Sequence, residues 1–137
     1  MRILGLDVGD RRIGVAISDP LGITAQQLTV LERRSRPKDV AAVTSLVEQH
    51  QAERIVVGLP LTLRGEHGPQ AHKVTAFVEA LRRRVTIPIQ AVDERLTTAQ
   101  GERALIALDV SRRKRKAVID RVAAQLILQQ YLDSRPT

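Results

Sequence analysis

The first third of the chain carries short apolar runs separated by turn residues. Residues 3–6 and 13–18 are almost wholly apolar, and residues 9–12 between them, Gly-Asp-Arg-Arg, are typical of a turn. Apolar runs of this length, bounded by glycine and aspartate, predict β-strands rather than helices. The first eighteen residues are therefore expected to form a β-hairpin.

A third strand is expected over residues 25–31. There Leu28 and Val30 alternate with Gln27 and Thr29, and a period of two is typical of a strand with one buried face. This alternation places Leu28 and Val30 on the same face of the strand. Together with the hairpin, the strand would complete a three-stranded meander.

From residue 38 onward the apolar period indicates helices alternating with strands. Residues 38–50 and 72–84 place their apolar side chains at helical spacing, whereas residues 55–59 predict a strand buried on both faces. Residues 61–70 are expected to form a loop. Residues 87–92 predict the last strand, with a proline near its start, where a missing N–H costs least.

The final third is expected to hold two helices, over about residues 97–108 and 117–132, joined by a basic connection. The element order is then β-β-β-α-β-α-β-α-α. A meander followed by right-handed α/β crossovers gives a five-stranded mixed sheet with helices on both faces. Because the chain shows no internal repeat and no linker, residues 1–137 are expected to form one α/β domain.

Composition excludes several classes of protein. The 137 residues include no cysteine, which rules out a disulfide framework and a thiolate nucleophile and is typical of a reducing cytosol. The chain reaches Asp7 before any apolar stretch is long enough for a signal peptide, and no stretch approaches the roughly 20 apolar residues of a membrane span. A cytoplasmic protein without a membrane partner is therefore expected.

The net charge of +7 favours a polyanionic partner, nucleic acid above all. Much of this charge lies in one basic segment, which consists of Arg112, Arg113, Lys114, Arg115 and Lys116. The alternative for this segment is a solvated loop without a specific partner. Phe77 and Tyr131 are the only aromatic residues, so an array of stacking platforms for unpaired bases is excluded. Nucleic acid would be held mainly through its phosphates and its shape.

Acidic residues fall where the predicted strands end. Asp7 ends the first strand, and Asp93 and Glu94 follow the last one. In an open α/β sheet, ligands bind at the carboxyl ends of the strands, so these side chains are expected in one region. Asp120 is expected in the first turn of the final helix. Taken alone, Asp120 would be explained by the helix dipole, and Asp7 by a turn before glycine.

Four segments of the chain resemble a known family. They are residues 7–16 (DVGDRRIGVA), 56–61 (VVGLPL), 93–98 (DERLTT) and 120–124 (DRVAA). In order and in rough spacing they match the YqgF/RuvX family, in which DERLTT is the most specific string. Members of that family are ribonuclease H-like and are associated with processing of pre-16S ribosomal RNA and with resolution of Holliday junctions. The resemblance implies a ribonuclease H-like fold and a nuclease.

The same resemblance implies roles for individual residues. Asp7, Glu94 and Asp120 correspond to a metal-binding acidic triad that carries out catalysis, and Asp93 corresponds to a neighbour that orients it. Arg121 departs from the family pattern, in which a small residue is usual, and the basic segment is more strongly charged than is common. These departures concern the choice of substrate rather than the chemistry.

Hydrolysis of a phosphodiester is assisted by divalent cations, which activate water and stabilise the leaving oxygen. Carboxylate oxygens are suitable ligands for Mg²⁺ or Mn²⁺, and two ions are expected here. Gly9, Arg11, Arg95 and the basic segment are the expected substrate-binding residues: Gly9 by close backbone approach and the arginines by contacts with phosphate. The alternative for Arg11 and Arg95 is a surface ion pair worth little.

The sequence leaves other classes of function open. An actin-like or sugar-kinase-like nucleotide-binding domain shares the Asp-x-Gly start, and a non-catalytic nucleic-acid clamp would share the positive charge. Among nuclease substrates, structured RNA is expected first, in 5′-end processing of pre-16S ribosomal RNA, and branched DNA at a Holliday junction second. A resolvase makes two symmetric cuts and needs a homodimer, whereas an RNA-processing enzyme can be a monomer.

Overall fold

The computed structural model describes residues 1–95, 103–104 and 106–135, apart from the side chains of residues 116, 117 and 120. Its elements in chain order are β1 (Ile3–Val8), β2 (Arg12–Ser18), β3 (Ala25–Glu32), α1 (Arg36–His50), β4 (Arg54–Leu59), α2 (Pro69–Arg82), β5 (Ile89–Asp93) and α3 (Arg112–Ser134). The strands form one sheet in the order β3-β2-β1-β4-β5. β1, β2 and β3 pair antiparallel, whereas β1, β4 and β5 are parallel. The predicted α/β fold with a five-stranded mixed sheet is confirmed.

Tight turns explain why the first three strands pair in sequence order. In the predicted β1–β2 hairpin, the amide of Gly9 donates to the carbonyl of Arg12 at 2.9 Å. The β2–β3 turn is held by Asp19, whose carboxylate accepts hydrogen bonds from the amides of Ile23 and Thr24. Both turns satisfy backbone groups that would otherwise need water.

β3 departs from the predicted alternation. Its register with β2 shifts between Val15 and Ala16, which leaves Leu28 as an extra residue in a β-bulge. Leu28 and Leu31 pack against the core, whereas Val30 is 43% exposed. The expectation that Leu28 and Val30 share a face is therefore wrong, because the bulge reverses the alternation of side chains.

Two apolar clusters hold the sheet between helices. The larger one joins alternate residues of the strands to α1 and α2 through Val40, Val43, Val74, Phe77 and Leu81. The smaller one joins the other face to α3 through Ile3, Val56, Ile127, Leu128 and Tyr131. The predicted placement of helices on both faces is thus confirmed.

α3 lies unusually close to the strands because glycines face it. A Cβ atom on Gly5 would lie 2.8 Å from the Cβ atom of Leu128 and 3.2 Å from the carbonyl oxygen of Ala124. A Cβ atom on Gly58 would lie 2.5 Å from Cδ1 of Ile127. The interior is close-packed, so there is no room for these atoms without movement of the helix or its side chains.

The opposite face buries a charged pair. Asp39 of α1 is 4% exposed, and it pairs with Arg33 at 2.8 Å while accepting a hydrogen bond from the amide of Arg34 at 3.1 Å. Arg33 also donates to the carbonyl of Gly9 at 2.7 Å and lies 5.5 Å from the centre of the Phe77 ring. This hydrogen-bonded pair compensates the burial of both charges and ties the start of α1 to the β1–β2 turn.

Prolines account for two differences between predicted and observed boundaries. α2 begins at Pro69, three residues before the predicted start, because proline is favoured in the first turn of a helix. β5 begins at Ile89, immediately after Pro88. The carbonyl of Pro88 still accepts a hydrogen bond from the amide of Ile55 at 2.9 Å.

The last third of the chain is described in part. The predicted helix over residues 97–108 lies largely outside the described residues. Within that range the structure describes residues 103, 104 and 106–108, and 103, 104, 106 and 107 are helical. α3 begins five residues before its predicted start. None of the helices in the described part of the chain has the length and apolar character needed to cross a membrane.

Candidate active site

Asp7 lies in β1 on the face covered by α3. Side chains alternate along the strand, so Leu6 and Val8 enter the core beneath α1 and α2 and Asp7 projects towards α3. Asp7 pairs with Gly14 of β2, and a Cβ atom on Gly14 would lie 3.7 Å from Cβ of Asp7 and 3.5 Å from Cβ of Ala124. The half-buried Asp7 side chain therefore starts in the space between two strands and α3.

Glu94 follows β5 and reaches across the neighbouring strand. Its amide donates to the carbonyl of Leu59 at 3.3 Å, which continues the pairing of β5 with β4. Its carboxylate lies over Gly58 of β4, where a Cβ atom would be 2.7 Å from Oε2 of Glu94. β4 lies between β5 and β1, so the missing side chain at Gly58 lets Glu94 extend towards Asp7 on the α3 side of the sheet.

The environment of Glu94 raises its pKa to about 7. Burial of the carboxylate is the largest cause, followed by the negative charges of Asp7 and then Asp93. Asp7 and Glu94, 87 positions apart in the chain, are therefore close enough to repel one another. Such an arrangement of carboxylates is suited to a cation, which would stabilise both in their charged form.

Asp120 lies in the third turn of α3, not in the first turn as expected, because the helix begins at Arg112. α3 runs along β1 so that Leu128 covers Gly5 and Ala124 covers Gly14, the partner of Asp7. Residue 120 is one helical turn, about 5.4 Å, further towards the carboxyl end of the strands. Its side chain lies outside the described part of the structure. Among the described side chains, no three acidic or histidine residues form a group that could hold a metal ion.

Asp93 and Arg95 form an ion pair beside Glu94. Nη2 of Arg95 lies 2.6 Å from the Asp93 carboxylate, and Nε lies 3.0 Å from both of its oxygens. This contact lowers the pKa of Asp93 below its usual value. Arg95 also donates to the carbonyls of Thr62 and Leu63 at 3.2 and 3.3 Å. Arg95, expected to bind the substrate, is thus engaged with Asp93 and the loop after β4.

A cleft of about 510 Å³ opens next to Asp7. It is lined by Asp7, Gly9, Arg11, Arg12, Gly14, Val30 and Arg121. Arg11 and Gly9 were expected to bind substrate, and the structure brings both to the same cleft as Asp7. The cleft combines one carboxylate with three guanidinium groups, which is a suitable environment for a phosphodiester next to a metal site.

Comparison with known proteins identifies the family. The RuvX family, described as Holliday junction resolvase, matches residues 1–134. The chain belongs to the RuvX family. A relative from Desulforudis audaxviator, named "Putative pre-16S rRNA nuclease", is 52% identical over 135 residues that cover 98% of this chain and 96% of the relative. A relative of the same name from Moorella thermoacetica is 53% identical over 133 residues, covering 97% and 95%.

Solved structures share the fold of this RuvX-family protein at low sequence identity. RuvC of T. thermophilus, in complex with Holliday junction substrate, matches with a TM-score of 0.61 and 18% identity over 98% of this chain and 95% of that one. The fowlpox virus Holliday junction resolvase matches with a TM-score of 0.56 and 13% identity over 98% and 100%. The predicted ribonuclease H-like fold is confirmed, and the relatives support the predicted nuclease class.

The basic segment of this RuvX-family protein is not the connecting loop expected from the sequence. It begins α3, because Ser111 caps the helix by accepting a hydrogen bond from the amide of Lys114 and because arginine and lysine favour helices. The first turn of α3 contains no acidic residue. Cations at this end of a helix meet the positive end of its dipole, so an anion bound there would relieve an unfavourable interaction.

Sequence reasoning missed several residues of the site. Arg12 could have been found, since it shares a face of β2 with Gly14 and therefore lies on the side of Asp7. Arg121 follows Asp120 directly, but its place in the cleft depends on the start of α3. Gly58 lies in the segment 56–61 that resembles the family, but only the packed structure shows that Glu94 and α3 occupy the space beside it.

Proposed function

We propose that this protein is a metal-dependent nuclease in which Asp7, Glu94 and Asp120 hold divalent cations and position the reacting phosphodiester. The proposal depends most on the extension of Glu94 over Gly58 towards Asp7. The two carboxylates are far apart in the chain but lie on the same side of the sheet. The location of residue 120 one turn beyond Ala124 supports a third ligand at the same end of the strands.

The residues present fit Mg²⁺ or Mn²⁺. The donors are carboxylate oxygens, which hard cations prefer. The raised pKa of Glu94 reflects first its burial and then the negative charges of Asp7 and Asp93, and a cation would offset these charges. Three carboxylates, together with phosphate oxygens and water, suit two ions. Bound there, the ions would lower the pKa of an attacking water and stabilise the leaving oxygen.

The chain's own residues would bind and orient the substrate. Arg11, Arg12 and Arg121 line the cleft beside Asp7, which we call the catalytic cleft under this proposal. They would contact the phosphates next to the scissile bond. Gly9 would let the turn backbone approach the substrate closely. Asp93 would act through Arg95, since their ion pair holds the segment that carries Glu94 against the loop after β4.

The basic segment would bind the polynucleotide on the α3 side of the catalytic cleft. Arg112, Arg113, Lys114 and Arg115 lie in the first turns of α3, two to three turns before Ala124, and Lys116 follows them. Their charges would attract phosphates without reading base sequence.

We propose the 5′ region of pre-16S ribosomal RNA as the substrate, in agreement with the names of the most similar relatives reported above. A four-way DNA junction is the second candidate, supported by the description of the RuvX family. The carboxylates cannot distinguish ribose from deoxyribose. A junction resolvase would act as a homodimer, whereas RNA processing needs only one copy of the chain.

The decisive experiment compares four variants in cleavage assays with Mg²⁺ or Mn²⁺. The cleavage rate is expected to fall by about 10³-fold or more in each of Asp7→Asn, Glu94→Gln and Asp120→Asn. When catalytic residues act as a unit, the loss of one costs nearly as much as the loss of all. Asp133→Asn, an exposed acid on the same helix, is the control and should cleave like wild type. Substrates are a precursor RNA 5′ segment, a four-way junction and single-stranded controls of each nucleic acid.

Other outcomes would identify the competing functions. Cleavage that survives Asp7→Asn would disprove the proposed site. Metal-independent binding with no cleavage by wild type would indicate a nucleic-acid clamp, and tight ATP binding would indicate the nucleotide-binding alternative.

A further inference from the structure

A second cleft lies on the other side of the β1–β2 turn from the catalytic cleft. It has a volume of about 330 Å³, and Gly9 lines both clefts. Its walls come from the segment before α1, with Arg34 and Arg36, from the start of α2, with Gln70 and Lys73, and from Asp10 of the turn. The two clefts therefore open on opposite faces of the sheet and are separated only by a tight turn.

The second cleft is positively charged. Arg33, Arg34, Arg36 and Lys73 line it against two carboxylates, those of Asp10 and Asp39, which leaves two positive charges. Two of the cations already have partners: Arg33 pairs with the buried Asp39 at 2.8 Å, and Lys73 with the exposed Asp10 at 3.2 Å.

Arg34 and Arg36 supply the two positive charges of the second cleft that no lining carboxylate neutralises. Both side chains are exposed, and neither has an ion pair with any carboxylate in the part of the chain that the structure describes. Lys38 adds a further exposed cation two residues later. Guanidinium groups presented in this way are suited to phosphate oxygens.

The position of this charge is fixed by the fold. Arg33 donates to the carbonyl of Gly9, and Asp39 accepts from the amide of Arg34, so the segment before α1 is attached to the turn that follows Asp7. A phosphate in the second cleft and a phosphate in the catalytic cleft would contact opposite sides of the same three-residue turn, residues 9–11.

We propose that the second cleft binds the phosphate backbone of the same nucleic acid, beyond the scissile phosphate, so that the substrate passes from one face of the sheet to the other across the β1–β2 turn. This inference rests on the proposed nuclease function. It adds a contact surface on the α1 and α2 face to the basic segment on the α3 face, and it requires a substrate long enough to reach both clefts.

The test compares two double variants that remove the same charge. Arg34→Gln/Arg36→Gln removes two cations from the second cleft, and Arg83→Gln/Arg84→Gln removes two exposed cations near the end of α2, about 20 Å away along that helix. Binding of a labelled four-way junction and of a precursor RNA segment is measured over a range of KCl concentrations.

For the second-cleft variant we expect about tenfold weaker binding of the junction and of the RNA segment at low salt, and a salt dependence whose logarithmic slope falls by about 2. The α2 variant should bind both probes like wild type. Equal effects of the two double variants, or no effect of the second-cleft variant on either probe, would overturn the inference.

These outcomes are separate from those that test the nuclease proposal. If Asp7→Asn abolishes cleavage but the second-cleft variant binds like wild type, only the second cleft is disproved. If Asp7→Asn cleaves like wild type, the nuclease proposal fails, and the binding measurements still report on the charge of the second cleft.

Discussion

Asp39 and Glu94 are both carboxylates largely withdrawn from solvent, but they lie on opposite faces of the sheet and have different neighbours. Asp39 contacts the guanidinium of Arg33 and the amide of Arg34. Glu94 has Asp7 and Asp93 as charged neighbours, and its pKa is raised to about 7. On one face a carboxylate helps to hold the fold together, whereas on the other face carboxylates lie close enough to raise a pKa, which is typical of a functional site.

The largest effect on stability is expected from removing Arg33, the cation that pairs with the buried Asp39. Arg33→Met keeps much of the side-chain volume but leaves Asp39 buried without its partner, which should lower the free energy of unfolding by about 3 kcal/mol. Urea denaturation measures this change. Arg34→Met, at the exposed neighbouring position, is the control. A loss no greater than that of the control would show that the two faces do not differ in this way.

Glu94→Gln should raise the free energy of unfolding, by less than Arg33→Met lowers it. The folded-state pKa of Glu94 is raised from 4.5 to about 7, so in the absence of metal the wild type loses stability as pH rises between these values. At pH 8 the variant should be more stable by about 2 kcal/mol, allowing for the part of the side chain that remains solvated, and below pH 4.5 the difference should vanish.

Divalent cations should make the wild type more stable than Glu94→Gln. Mg²⁺ or Mn²⁺ is expected to raise the melting temperature of the wild type and to have less effect on Glu94→Gln, because a ligand that binds only the folded state stabilises it. Glu79→Gln, at an exposed position of α2, should show neither the pH dependence nor the altered response to metal. A Glu94 variant that is less stable than wild type at pH 8 without metal would contradict the comparison.

The smallest effect is expected at the contact between the sheet and α3. Gly58→Ala places a methyl group 2.5 Å from Cδ1 of Ile127 and 2.7 Å from Oε2 of Glu94, which should cost about 1–2 kcal/mol, since the end of a flexible side chain can move. Gly14→Ala is the matched control for stability, because its new methyl group would meet only ordinary contacts of 3.5 Å and more. Thermal unfolding of both variants measures the difference.

If Gly58→Ala displaces Glu94 as expected, it should also reduce the increase in melting temperature that Mg²⁺ produces. A variant with unchanged stability and an unchanged response to Mg²⁺ would show that Glu94 does not need the space over Gly58.

Local patterns predicted most of the fold. The runs around residues 3–18 predicted the first hairpin, and the change of apolar period predicted the alternation of helices and strands that makes the sheet mixed. The reversed face of Val30 could not be predicted, because the bulge at Leu28 depends on how β2 and β3 align. The early start of α3 is not among the predictions from sequence, because the basic segment is interpreted there as a charged connection. Arginine and lysine also favour helices, and Ser111 before them caps the helix.

The candidate site was predicted in part. The positions of Asp7 and Glu94 at strand ends placed them in one region, and the structure brings them to one side of the sheet. An ion pair was the alternative to substrate binding for Arg95, but its partner Asp93 and the burial of Asp39 could not be predicted, since both depend on contacts between side chains in the folded chain. The role of Asp120 stays a prediction.

The glycines beneath α3 have a consequence for how the protein can move. At Gly5 the main chain of α3 itself comes close to β1, since a Cβ atom there would lie 3.2 Å from the carbonyl oxygen of Ala124, whereas at Gly58 the contact is made by the side chain of Ile127. The part of α3 around Ala124 therefore has no room to move closer to β1. If the cleft beside Asp7 binds substrates of different shapes, adjustment would come from the long side chains of Arg11, Arg12 and Arg121, which can change rotamer while α3 keeps its distance from β1.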